Sequence, residues 1–133
     1  MTDLTFETMA GMVGDTLGTS SWHVVTQEAV NEFAHCTGDN QWIHTDVERA
    51  KKESPFGGPV AHGYLTLSLL SMLAMEIGVV PANTAAALNY GLDKVRFLAP
   101  VPVGAKVRLH SKLVGFDRKD NGQYLMKTEN TME

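Results

Sequence analysis

The run HGYLTLSLLSMLAMEIG, from His62 to Gly78, constrains this chain more than any other stretch. It predicts a helix with apolar residues on nearly every face, which must be buried on all sides. Gly78 ends it. A helix without a polar face needs a partner surface all round, and a curved antiparallel sheet wrapped about it is one solution. From Ala85 onward the hydrophobic period changes to two. KVRFLAPV, AKVRLHSKLVGF and QYLMKTENTM read as strands, and Asp120-Asn121-Gly122 is a strong hairpin signal between the last two. The expected class is α+β, with an antiparallel sheet around a long central apolar helix.

The segments before the central helix are short. Met1 to Thr19 is ambiguous, since Gly11, Gly14 and Gly18 argue against a long helix. A brief strand is expected at Trp22 to Val25. Thr26 then opens a helix with Ala29, Val30, Phe33 and Ala34 on one face. Thr26 suits the N-cap, and Gly38 suits a left-handed C-terminal residue. A loop from Asp39 to His44 leads to a second helix, which Thr45 and Glu48 would open as a T-x-x-E capping box and which runs to about Glu53. SPFGGPVA is a loop.

The chain has 133 residues, enough for one domain with its own core, and no repeat or linker divides it. Its net charge of −4 gives no nucleic-acid footprint. The single cysteine, Cys36, permits no intrachain disulfide. No basic, apolar-cored leader is read at the start. The stretch Leu65 to Pro81 is too short and too polar to span a bilayer. The expected setting is therefore the cytoplasm, with no membrane partner.

Five histidines are present. His23 and His110 sit in strand patterns without an acidic neighbour in sequence and read as structural. Asp39 and His44 flank a short loop beyond a helix that stops at Gly38. A carboxylate and an imidazole turned to one point can hold a water and move its protons. On spacing alone, a turn-capping Asp39 and a packed His44 are the more ordinary explanation. Gly63 stands where the central helix begins. The first N–H groups of a helix have no internal partners, and a glycine there allows a carbonyl oxygen to approach closely. Such a place suits an oxyanion, although Gly63 is also explained as a turn residue. Ser71 lies about two turns further in, where a serine ordinarily bonds its own backbone. A metal site from His35, Cys36, Asp39 and His44 matches no strong ligand spacing, so no metal is expected. Cys36 as a nucleophile beside His35 is disfavoured, because helix neighbours point apart.

Together, FAHCTGDNQWIHTDVERAKKESPFGGPVAHGYLTLSLL and YGLDKVRFLAPVPVGAKVRL resemble the MaoC-like dehydratases, the family that includes the (R)-specific enoyl-CoA hydratases. GDNQWIH, with YGLDKVRF later in the chain, looks most like the single-domain, NodN-like branch. The resemblance implies one hot-dog domain over residues 1–133, paired into a homodimer. It implies a hydro-lyase that adds water to trans-2-enoyl thioesters to give (R)-3-hydroxyacyl thioesters, or the reverse. Asp39 and His44 would activate the water, Gly63 would offer its N–H to the thioester oxygen, and Ser71 would support the site. No cofactor is implied beyond the coenzyme A or acyl carrier protein of the substrate.

The chain departs from that pattern in three ways. Gln41-Trp42 replaces the Asn-Pro found in many members, and the large Trp42 side chain either packs or borders the acyl pocket; Trp42 and His62 are the candidate substrate-binding residues. Such chains usually carry one more strand after the last turn, whose absence would expose a sheet edge. Arg49, Lys51 and Lys52 form a basic cluster that reads as a solvated helix face and identifies no coenzyme A phosphate site. The competing functions are a thioesterase on the same fold and a non-catalytic acyl-thioester-binding or assembly subunit, because fold alone does not fix reaction.

Overall fold

The computed structural model describes residues 4–133; the first three residues of the ambiguous opening segment lie outside it. The chain forms two compact units, each assembled from separated segments.

The first unit comprises the residues up to Ser21, Leu70–Gly91 and Arg108–Glu133. It holds α1 (Phe6–Ala10), capped by Thr5, and a three-stranded antiparallel sheet in the order β1-β4-β5, formed by β1 (Thr16–Thr19), β4 (Leu109–Arg118) and β5 (Tyr124–Met132). The Asp120-Asn121-Gly122 hairpin is present, with Gly122 at φ 78° where a two-strand reversal needs a left-handed residue. Met9, Leu73, Leu109 and Leu113 are buried in this unit. The end of α5 (Gly63–Ile77) lies against β1: the Ser21 N–H donates to Glu76 Oε1 at 2.7 Å, which holds the Glu76 carboxyl below its usual range. At the sheet margin, Arg108 and His110 both donate to Glu133 and lower its pKa to about 2. His110 thus finds in space the acidic partner it lacks nearby in sequence.

The second unit comprises Trp22–Leu69 and Leu92–Val107. β2 (His23–Val24) pairs antiparallel with β3 (Lys106–Val107). α2 (Gln27–Thr37) starts at Thr26, whose side chain accepts from the Ala29 N–H, and stops at Gly38 at φ 84°, as its sequence predicts. The expected loop from Asp39 to His44 contains a one-turn helix, α3 (Trp42–Thr45). α4 (Val47–Glu53) follows, and its cap is Asp46, which accepts from the Arg49 N–H at 3.1 Å. The Thr45 hydroxyl instead bonds back to the Gln41 carbonyl and so closes α3, which leaves the T-x-x-E reading incorrect. Val25, Val30, Ala34, Val60 and Leu65 are buried here.

Among the described residues the antiparallel pairing falls into a three-stranded and a two-stranded sheet, one in each unit. Two expectations change. KVRFLAPV forms no strand. Its alternation supplies two faces, but a strand also needs a ladder partner, and Pro100 removes a donor; among the described residues its one backbone–backbone bond is at its end, where the Val101 carbonyl accepts from the Ala61 N–H. Finally, α5 is not covered on every side. Leu65, Thr66, Leu73 and Ile77 are buried, but Tyr64, Ser68, Ser71, Met72 and Met75 form an exposed stripe at helical spacing. Among the described residues, no helix is long and apolar enough to cross a membrane.

The packing of α5 on β1 makes a specific prediction. A Cβ on Gly18 would stand 2.8 Å from Ile77 Cγ2, closer than van der Waals contact allows. Gly18→Ala therefore costs about 1–3 kcal/mol, as overpacked substitutions do, measured by denaturant unfolding. A variant as stable as the parent would show that Ile77 does not sit against this strand.

Candidate active site

A pocket of about 260 Å³ opens within the second unit, lined by Asp39, Gln41, His44, His62, Gly63, Tyr64 and Phe97. Four stretches reach it, the turn at Asp39, the α3 turn, Val60 to Tyr64 and Phe97, and local hydrogen bonds explain how the first three do.

Gly38 ends α2 in the left-handed region and turns the chain so that Asp39 follows immediately. Its carboxylate is exposed and accepts weakly from the Gln41 N–H at 3.4 Å, so the turn-capping reading and the chemical one coexist. The single turn of α3 then carries His44 inward. His44 is only 6% exposed. Its backbone carbonyl accepts from Gln27 Nε2 at 2.8 Å, and its Nδ1 lies 2.6 Å from the Val60 carbonyl oxygen. A carbonyl can only accept, so Nδ1 carries the proton. The neutral ring therefore keeps a bare lone pair on Nε2.

The third segment is Val60 to Tyr64, where the chain enters α5. Leu65 and Thr66 already donate to the His62 carbonyl. Among the described residues, the Gly63 and Tyr64 N–H groups meet no acceptor, as expected for a first turn. Both residues line the pocket. A Cβ on Gly63 would meet the Phe97 ring at 3.2 Å, a tight contact that the ring would have to ease by a few tenths of an ångström. Tyr64 and Phe97 stand edge to face at 6.0 Å and give the pocket an apolar wall.

The His44 and His62 rings are stacked, with centroids 3.8 Å apart and planes 26° from parallel. Asp39, His44 and His62 each offer a ligand atom, all within 4.8 Å of one another. The stack makes this a poor metal cage. In-plane lone pairs of near-parallel rings run side by side instead of converging, and one nitrogen of each ring already faces a carbonyl. A bare imidazole nitrogen beside a carboxylate, opposite free helix N–H groups, is instead an arrangement for moving protons next to a developing negative charge.

Of the residues singled out in the sequence, Asp39, His44, His62 and Gly63 come together. Trp42 does not line the pocket: its ring lies under the Arg49 guanidinium at 4.2 Å, while Arg49 also pairs with Glu53 at 2.6 Å. The neighbouring Gln41 takes the lining position. Ser71 is exposed further along α5 and is absent from the lining. Tyr64 and Phe97 escaped the sequence reading. Tyr64 was findable, since the argument for Gly63 extends one residue along the same turn. Phe97 was hidden inside a misread strand.

The family model described as "MaoC like domain" matches residues 8–133. The chain belongs to the MaoC-like family. It is 48% identical over 132 residues to 3-hydroxyacyl-thioester dehydratase Z of Mycobacterium tuberculosis, covering 97% of this chain and 86% of that one. It is 42% identical over 114 residues to nodulation protein N of Rhizobium meliloti, covering 86% and 70%. A solved structure from Archaeoglobus fulgius, described as a monoamine oxidase regulatory protein, superimposes with a TM-score of 0.73 at 25% identity, over 98% of this chain and 92% of that one. The fold of this MaoC-like chain is thus the α+β hot-dog class.

Proposed function

We propose that this protein is a hydro-lyase that adds water to trans-2-enoyl thioesters, giving (R)-3-hydroxyacyl thioesters, or that removes it in reverse. The observation that carries the reading is that Asp39, His44 and Gly63, at the start of α5, line one pocket. The similarity to a 3-hydroxyacyl-thioester dehydratase supports the substrate class.

The chemistry needs little more. In the hydration direction the thioester oxygen accepts the Gly63 N–H, which withdraws charge from C3. Asp39 and His44 hold the water, and the bare Nε2 of His44 or the Asp39 carboxylate takes its proton as oxygen bonds to C3. A proton is then returned to C2, and the helix-start N–H stabilises the enolate-like oxygen between these events, worth roughly 3 kcal/mol. Every proton taken is given back, so the reaction as written calls for no cofactor beyond the carrier of the thioester. Gly63 suits the role because, without a side chain, it leaves the space beside the Phe97 ring open to the acyl group.

We also propose that the protein works as a homodimer in the cytoplasm. Leu88, Tyr90, Leu92 and Leu98 are strongly exposed, as is the stripe of Tyr64, Met72 and Met75 on α5. Exposed large apolar residues in this number favour a protein partner, and a second copy is the simplest. A single species at twice the chain mass in analytical ultracentrifugation is the expected result. A monomer at micromolar concentration would overturn the dimer.

Purified protein is expected to consume crotonyl-CoA, followed by loss of enoyl absorbance, without releasing thiol. Asp39→Asn is expected to lower kcat by at least ~10²-fold with the fold intact. Thiol release without hydration would make the protein a thioesterase. A folded protein inert toward every enoyl chain length would leave the non-catalytic reading.

A further inference from the structure

His62 is only 3% exposed, although it lines the pocket. Its Nε2 lies 2.9 Å from the backbone carbonyl of Asp39, so Nε2 carries the proton and donates it there. That leaves Nδ1 bare, and Nδ1 is enclosed without a hydrogen-bond partner among the described residues. The ring therefore has no donor left for a substrate, which argues against the ligand-contact role its place in the motif gives it. What the ring does touch is informative. One face lies on His44 at 3.8 Å, Phe33 of α2 packs on it at 4.9 Å, and its N–H ends on Asp39.

We propose that His62 is a positioning residue: its Nε2–H fixes the backbone of Asp39 while its ring face fixes the plane of His44, so one buried imidazole holds both proton-handling groups. This deepens the hydro-lyase reading and rests on it for its kinetic consequences. The next residue in the chain is Gly63, so the same short segment that presents the N–H to the acyl oxygen also holds the acid–base pair opposite it. The spacing between the two halves of the chemistry is thereby fixed by consecutive residues.

Two substitutions separate the two contacts. His62→Phe keeps a ring against His44 but loses the N–H; His62→Gln keeps an amide N–H that can reach the Asp39 carbonyl. In His62→Phe, kcat is expected to fall at least ~10-fold with little change in KM, because misplacement of a reacting group acts on the chemical step. His62→Gln is expected to recover part of that loss. Combined with Asp39→Asn, His62→Phe should cost much less than it does alone, since the group it positions is already impaired. A rise in KM at unchanged kcat would overturn the proposal in favour of substrate contact, and additive losses would reduce His62 to a structural role.

Two readouts do not depend on turnover. Nitrogen-15 NMR of the unmodified protein is expected to show His62 protonated at Nε2 and His44 at Nδ1. Amide exchange over residues 38–42 is expected to quicken in His62→Phe and to stay near the parent rate in His62→Gln. The opposite His62 tautomer, or equal exchange in both variants, would contradict the proposal. If the parent protein hydrates no enoyl thioester, the hydro-lyase reading fails, while these two measurements still decide whether His62 holds the loop.

Discussion

The bond between His44 Nδ1 and the Val60 carbonyl does more than any other to define this protein. At 2.6 Å and out of solvent, it joins the single turn of α3 to the segment that leads into α5. It fixes the tautomer of His44 and hence which nitrogen faces the pocket. It also uses a carbonyl that lies three residues before Gly63. The α3 side of the pocket and the start of α5 are therefore tied together by one short connection. The remaining supports follow the same logic: Gln27 holds the His44 carbonyl, and Ala61 is held by the Val101 carbonyl.

Much of this was legible in the sequence because it depends on local chemistry. Thr26 and Gly38 mark the ends of α2 by capping and by the left-handed conformation, and neither needs the rest of the chain. The same holds for the hairpin at Asp120-Asn121-Gly122, for Gly78 beyond α5, and for the helix-start argument that singles out Gly63. Asp39 and His44 could be picked out as a pair by spacing, but not distinguished from a turn cap and a packed histidine. Resemblance to the MaoC-like family is what favours the chemical reading, and the pocket has both residues in its lining.

What was not legible depends on partners distant in sequence. Alternation in KVRFLAPV describes two faces but not whether a neighbouring strand exists to complete the ladder. The run is therefore irregular, and Phe97 within it becomes a pocket wall instead of a sheet residue. Apolarity on every face of α5 predicts complete burial, yet a single chain leaves Tyr64, Met72 and Met75 outside. Under the dimer proposal, both departures have one cause: the sequence is written for surfaces that a lone copy does not cover. Trp42 is a different case. An aromatic ring beside a catalytic motif invites a pocket role, but Arg49, one helical step away on α4, takes the ring face first.

The central claim is geometric: an acyl oxygen sits at the start of α5 while Asp39 and His44 face the carbon that receives water. A crystal structure with a bound, slowly reacting 2-enoyl thioester analogue tests it most directly. The account predicts the thioester oxygen at ~2.7–3.1 Å from the Gly63 nitrogen, with C3 turned toward His44 Nε2 and the Asp39 carboxylate. An acyl oxygen held elsewhere, or a C3 facing away from both side chains, would contradict it.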